Sequence, residues 1–235
     1  MFITVRNGGT AHIENVRHGN ERVLRARLAD ARFFFEEDRK IPLIDRIDKL
    51  KTIVFQEGLG TMYDKVQRLR KLSLLIGTMM GLDDNQLAEV DRAAELAKAD
   101  LVTGMVCEFT ELQGVMGREY AKLSGESEAV TEAVFEHYLP RFAGDILPQT
   151  PAGRAVAIAD KIDNIVTTFS RGKIPTGSQD PYALRRQALG VVNIQIDGKL
   201  SLSTVHIIMA ALDLAGIKDE QKRIQIVTAM NEFFK

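Results

Sequence analysis

The sequence is poor in the residues that most directly announce chemistry. It has one cysteine, Cys107, and no tryptophan. A single thiol excludes an internal disulfide framework and fits a reducing compartment, and its apolar neighbours make it read as a small buried hydrophobe. There are four histidines, His12, His18, His137 and His206. His12 and His18 flank a turn-rich stretch without ligand spacing. His137, near Arg141 and Asp145, reads as a half-buried histidine hydrogen-bonded at a helix end. The formal net charge of −1 supplies no global pull toward nucleic acid, so any phosphate-binding surface must be local. No apolar run approaches the roughly 18 residues of a membrane span, and no charged-then-apolar signal opens the chain; the expectation is a soluble, cytoplasmic protein that uses no membrane. A G-x-x-x-x-G-K-[ST] phosphate loop is absent, as is any local Ser/His/Asp signature.

What is present is an ordinary globular composition, 45% hydrophobic and 27% charged, over 235 residues. Phe2-Ile3-Thr4-Val5 reads as a strand before the Asn7-Gly8-Gly9 turn. Helical spacing follows from about residue 20 to 38: Leu24, Leu28, Ala31 and Phe35 share one face, and Arg22, Arg25 and Arg32 lie on another. Pro42 ends that helix, and Ile44, Ile47 and Leu50 begin a short second one. Further helices are predicted over 62–80, from 85 onward and running on toward Phe109, and over 111–123, 126–138, 150–170, 181–190, 203–214 and 218–234. Residues 191–200, with VVNIQI, read as a short β-like run. No αβαβ alternation occurs, so the fold class is mostly α.

The block from Ile174 to Gly190, IPTGSQDPYALRRQALG, concentrates the clearest local signals. Pro175 to Ser178 is turn chemistry, Asp180 reads as an N-cap with Pro181 as first helical residue, and Gly190 is placed to end a short helix. Arg185 and Arg186 then stand near a helix N-terminus, where anions are favoured. Other basic groups are Lys65/Arg68/Arg70/Lys71 and Arg171/Lys173. Each could bind phosphate, although a solvated face balanced by acids accounts for each as well. Glu108 and Glu111 read as a solvated or salt-bridged pair.

This block resembles one in the β subunit of bacterial glycyl-tRNA synthetase. So do VRNG at 5–8, GNERVLRARLADARFFFEED at 19–38, KADLVTGMVCEFTELQGVMGREYA at 98–121 and EHYLPRFAGDILPQTPAGR at 136–154. The helical core also resembles the HD-domain fold of metal-dependent phosphohydrolases: VAIADKIDNIVTTF at 156–169 matches its closing helix and AAELAKADL at 93–101 the helix of adjacent His and Asp. On that likeness Asp100 and Asp160 keep two ligand positions, while Ala99 and Lys65 stand where histidines belong. An alanine cannot ligate and an ammonium repels a cation, so a bound metal is not expected.

The resemblance implies an HD-domain-like helical bundle with short β segments at the ends. It divides the chain into the end of an upstream β-containing domain (1–15), a helical connector (16–58), a degenerate HD-like domain (59–200) and the start of a downstream helical region (201–235). It also implies a non-catalytic part of an α2β2 glycine–tRNA ligase that binds glycine tRNA, not DNA, and supports the α subunit. In this reading the full complex uses ATP and magnesium, and this segment holds no cofactor. The tRNA-binding candidates are Lys65, Arg68, Arg171, Lys173, Ser178, Arg185 and Arg186. Lys65 draws particular interest, because the change that removes a metal ligand supplies a cation. An HD-type nucleotide phosphohydrolase and a purely structural linking module are the rival readings.

Overall fold

A computed structural model describes residues 2–175 and 180–234, so Ser178 lies outside the described residues. Polar caps start most of the helices. In α2 (Met62–Met79), Thr61 and Asp64 form a reciprocal capping box, and Asp83 and Gln86 form another at α3 (Asp84–Leu96). Ser127 caps α6 (Glu128–Glu136). Thr150 caps α7 (Pro151–Ser170), with Pro151 at its first position. Ser203 and Asp219 cap α9 (Thr204–Leu214) and α10 (Glu220–Phe233). The long α1 (Ile13–Asp38), the short α4 (Gly104–Glu108), α5 (Val115–Leu123) and α8 (Leu184–Asp197) complete the set among the described residues.

The bundle is organised around α7. Nearly every residue of this helix is buried, and Ala152, Ala155, Ala157 and Ala159 keep it thin enough for neighbours to close on all sides. α2, α3, α6, α8 and α9 pack around it. Ile158, Ile162 and Ile165 are fully buried, each worth about 1.5–3 kcal/mol of transfer free energy. Its N-terminus is seated by the buried carboxylate of Glu136, which accepts hydrogen bonds from the Gln149 and Thr150 amides and from the Thr150 hydroxyl. α9 and α10 join the same hydrophobic core through Ile207, Ile208, Leu212, Ile226 and Met230.

The mostly helical class holds, but the terminal β segments do not. Residues 2–5 form no strand and are exposed, with Val5 96% accessible: no neighbouring strand offers them hydrogen bonds. Among the described residues the sole pairing is an isolated antiparallel bridge, Val54 to Thr61. The VVNIQI run is the second half of α8, because Leu184, Ala188, Val191 and Ile194 recur at helical spacing and bury one face on α7. Gly190 accordingly lies inside α8. A Cβ there would come 3.1 Å from Lys161 Cε and 3.3 Å from the Pro140 ring, so its role is close approach and not termination. The helix expected to run toward Phe109 breaks after Leu96 into a 3-10 turn, Ala99–Val102, and then α4. Cys107 is exposed, its Sγ 3.6 Å from the Leu101 carbonyl, because that break turns it outward.

Candidate functional site

Where α2, α7 and the turn after α3 meet, the core holds a cluster of charged side chains. Lys65, on the inner face of α2, is 2% exposed. Its ammonium donates to Asp163 Oδ2 and Asn164 Oδ1, both at 2.9 Å, and lies 2.9 Å from Asp160 Oδ1 in an ion pair. Lys98 reaches the other oxygen of Asp160 at 2.9 Å and places its ammonium 4.1 Å from the centre of the Tyr138 ring. One helical turn along, Arg68 forks onto Asp163 through Nε at 2.7 Å and Nη2 at 3.1 Å. The Phe55 ring, in the turn before α2, lies over both Lys65 and Arg68. Asp160, Asp163 and Asn164 face the cluster together because they are spaced i, i+3 and i+4 on α7.

Electrostatics show which charges the cluster keeps. Burial alone would raise the Asp160 carboxyl, but the ammonium groups of Lys65 and Lys98 outweigh it and hold the group far below the usual carboxylate range. Asp163 is lowered too: against its burial stand Lys65 and the Arg68 fork. Asp100 sits apart, its carboxylate accepting from the Gly114 amide at 2.7 Å and from the Tyr138 hydroxyl at 3.1 Å, and burial pushes its titration up. His137, the C-cap residue of α6, is fully buried and kept neutral by burial and by the nearby Lys98 cation; its Nδ1 lies 2.6 Å from the Val134 carbonyl. Lys161 donates to the Leu139 carbonyl at 2.5 Å, and burial brings it down to about 8.

These donors do not fit a divalent metal. Two ammonium groups already flank the carboxylate of Asp160, Ala99 offers no ligand, and Asp100 is turned to an amide and a phenol. Among the described residues no three His, Cys, Asp or Glu side chains group as a metal site. The arrangement provides electrostatic cross-bracing between helices.

The basic groups separate by environment. Lys65 and Arg68 are buried against aspartates, and Arg70 is forked onto Asp91 and reaches Glu95. Lys71 alone of that patch is exposed. Arg171, Lys173, Arg185 and Arg186 are all exposed, near the C-terminus of α7 and the start of α8. The N-cap of α8 is Ala183 and not Asp180, because the helix begins at Leu184 and Pro181 lies in the preceding turn; Asp180 still accepts from the Leu184 and Arg185 amides at 2.8 and 2.9 Å. Arg186 donates to the Arg141 carbonyl at 3.2 Å.

The two groups are wired together. Lys65 donates to Asn164 Oδ1, Asn164 Nδ2 donates to Gln187 Oε1 at 2.8 Å, and Gln187 Nε2 donates to the Tyr182 carbonyl at 3.0 Å. Lys173 Nζ then meets the Tyr182 hydroxyl at 2.9 Å. Hydrogen bonds therefore run from the buried cluster to the backbone of Tyr182, and the side chain of the same residue carries Lys173 at the exposed basic rim. Lys98, Asp163, Asn164 and Gln187 were not singled out from sequence. The i, i+3, i+4 spacing of DKIDN at 160–164 is the signal that could have placed three of the cluster's polar groups on one helical face.

A family profile described as "Glycyl-tRNA synthetase beta subunit" matches residues 1–235. A glycine–tRNA ligase beta subunit of Clostridioides difficile is 57% identical over 99% of this chain, covering 34% of its own length. One from Halothermothrix orenii is 62% identical over 86% of the chain and 29% of the relative, and one from Bacillus subtilis is 54% identical over 86% and 30%. The chain thus spans about a third of the length of these relatives. It belongs to the glycyl-tRNA synthetase beta subunit family.

Proposed function

We propose that this chain is a tRNA-holding segment of a glycine–tRNA ligase, contributing to the attachment of glycine to tRNA without itself performing the chemistry. Catalysis, with ATP and magnesium, belongs to the α partner of an α2β2 complex, which this segment helps to support. The observation that carries the reading is the hydrogen-bonded chain from Lys65 through Asn164 and Gln187 to the Tyr182–Lys173 rim. It converts a buried ionic cluster into a rigid mount for surface cations, which is what phosphate recognition requires. In this division of labour Lys65 and Arg68 position, and Arg171, Lys173, Arg185 and Arg186 face the RNA.

The helical bundle is further proposed to be HD-like, occupying roughly 59–200, with the metal position closed by Lys65 and Lys98. Phosphohydrolase chemistry is disfavoured by those two ammonium groups on Asp160. The test is binding of glycine tRNA to the complete β chain with its α partner, comparing wild type with the Arg171→Gln/Lys173→Gln/Arg185→Gln/Arg186→Gln variant across salt. Each lost phosphate contact should flatten the slope of log affinity against log salt by about 0.7–0.9. An unchanged slope rejects the rim as an RNA contact and favours a purely structural linking role.

A further inference from the structure

The sequence sets Arg22, Arg25 and Arg32 on a face of α1 other than that of Leu24, Leu28, Ala31 and Phe35. The structure leaves that face uncovered. α1 is anchored along its other side, where Phe34 packs against Gly104, Arg27 pairs with Glu108, and Asp38 accepts from the Gly104 and Met105 amides. Arg22, Arg25 and Arg32 are exposed and, among the described residues, make no ion pair, hydrogen bond or ring contact.

That is unusual within this molecule. Most of its arginines are matched to carboxylates, Arg70 to Asp91, Arg92 to Glu126 and Arg154 to Asp197 among them. The acids nearest the stripe are already engaged: Glu21 lies 3.7 Å from Arg17 and 3.8 Å from His18, and Glu36 lies 3.2 Å from Arg39. Arg22 and Arg25 also form an i, i+3 pair of like charge, an arrangement that weakens a helix until an outside anion relieves it. The three arginines fall within about 80° of arc and span about 15 Å of helix axis. A nucleic-acid strand covers that length in roughly four or five nucleotides at ~3.4 Å each. Ala26 and Ala29 lie between them, both exposed, and add no bulk to obstruct an approaching backbone.

We propose that this face of α1 is a second binding site for the phosphate backbone of tRNA, carried on a different element from the rim at α7 and α8. The inference rests on the tRNA-binding reading above and extends it to a surface which that reading does not use. It commits to phosphates because three uncompensated guanidinium groups in a row call for a polyanion, and each can fork onto one phosphate.

The test uses the complete β chain with its α partner and compares wild type, Arg22→Gln/Arg25→Gln/Arg32→Gln, the corresponding triple lysine variant, and the rim variant described above. Binding of glycine tRNA is titrated between 50 and 200 mM salt, the range over which such contacts show (about 10³–10⁵ in affinity for 6–10 of them). The glutamine triple should flatten the salt slope by roughly 2–3, the lysine triple should restore most of it, and α–β assembly by sedimentation should be unaltered. An unchanged slope in the glutamine triple, while the rim variant loses slope, overturns this inference and leaves the rim reading standing. Loss of α–β assembly with the tRNA slope intact overturns it as well, and assigns the face to a protein partner. If wild type itself shows no salt-dependent tRNA binding, both readings fall together.

Discussion

Replacing Asp160 by asparagine tests the buried cluster most sharply, because it removes one charge and almost no volume. In the native protein both carboxylate oxygens lie 2.9 Å from ammonium groups, of Lys65 and of Lys98. After the change Lys65 keeps Asp163 and Asn164, whereas Lys98 is left with the Tyr138 ring. The loss is therefore nearer to one broken buried pair than to two, about 3–5 kcal/mol. Native-state hydrogen exchange read by mass spectrometry on α7 peptides of the complete β chain measures this locally, without requiring the whole chain to unfold in one step. Exchange of the α7 amides should accelerate by about two to three and a half orders of magnitude, a factor of ten for each ~1.4 kcal/mol. Adding Lys98→Met to the same chain should recover part of the loss, with a coupling of about 1–3 kcal/mol, because the stranded cation is gone. Acceleration of less than tenfold by Asp160→Asn would refute the view that these charges brace the core.

Other consequences follow from neighbouring residues. Lys161 titrates at about 8 in the folded protein, below its ordinary 10.5. Between those values the unfolded chain holds a proton that the folded chain has released, so stability should rise with pH across about 8–10.5, by roughly 3 kcal/mol, with the cost of burying the cation fully present below 8. Urea melts of wild type and Lys161→Met across this range check it; equal pH slopes would count against the assignment. Gly114→Ala should destabilise by about 3 kcal/mol, since its φ is +81° and a Cβ would sit 2.7 Å from the Tyr138 ring. A thermal midpoint within 2 °C of wild type would contradict that. Asn164→Leu cuts the chain between Lys65 and Gln187; tRNA affinity should fall several-fold while the salt slope stays constant, since positioning is lost and no cation is. A changed slope would instead make the region a direct phosphate contact.

Much of the fold was written in local pattern. Caps such as Asp83 before α3 and Thr150-Pro151 before α7 announce helix starts on their own, because the hydrogen bonds that satisfy the first amides come from adjacent residues. α8 extends past the helix that its sequence predicts for the opposite reason. Gly190 resembles a terminator locally, and only the approach of Lys161 and Pro140 explains a glycine in mid-helix. The run at 191–196 carries β-branched residues that favour strands in isolation, yet Val191 and Ile194 continue the buried face set by Leu184 and Ala188, and packing on α7 overrides the propensity. Cys107 was expected inside because its neighbours are apolar, but the break between α3 and α4 is a tertiary event.

The candidate site was legible in its components and not in its connections. Lys65 and Asp160 could be singled out through the resemblance to the HD-domain fold, but that Lys65 turns inward to two aspartates depends on a contact spanning 98 residues. The same holds for Lys98, whose partner Asp160 lies 62 residues away. Sequence patterns show which face of a helix is apolar, and long lysines can be buried on such a face only when a carboxylate waits across it. Arg171, Lys173, Arg185 and Arg186 stand instead on exposed surface at the ends of α7 and α8.

The most direct measurement compares salt slopes for glycine tRNA binding in the complete complex, for wild type, the Arg171/Lys173/Arg185/Arg186 glutamine variant and Asp160→Asn, at a temperature where all three remain folded. If the core lysines brace and the rim cations bind, the rim variant should lose roughly 3 units of slope and Asp160→Asn should retain the wild-type value. A rim variant with the wild-type slope, or an Asp160→Asn protein whose slope changes while its fold is intact, would contradict the division between a bracing core and an RNA-facing rim.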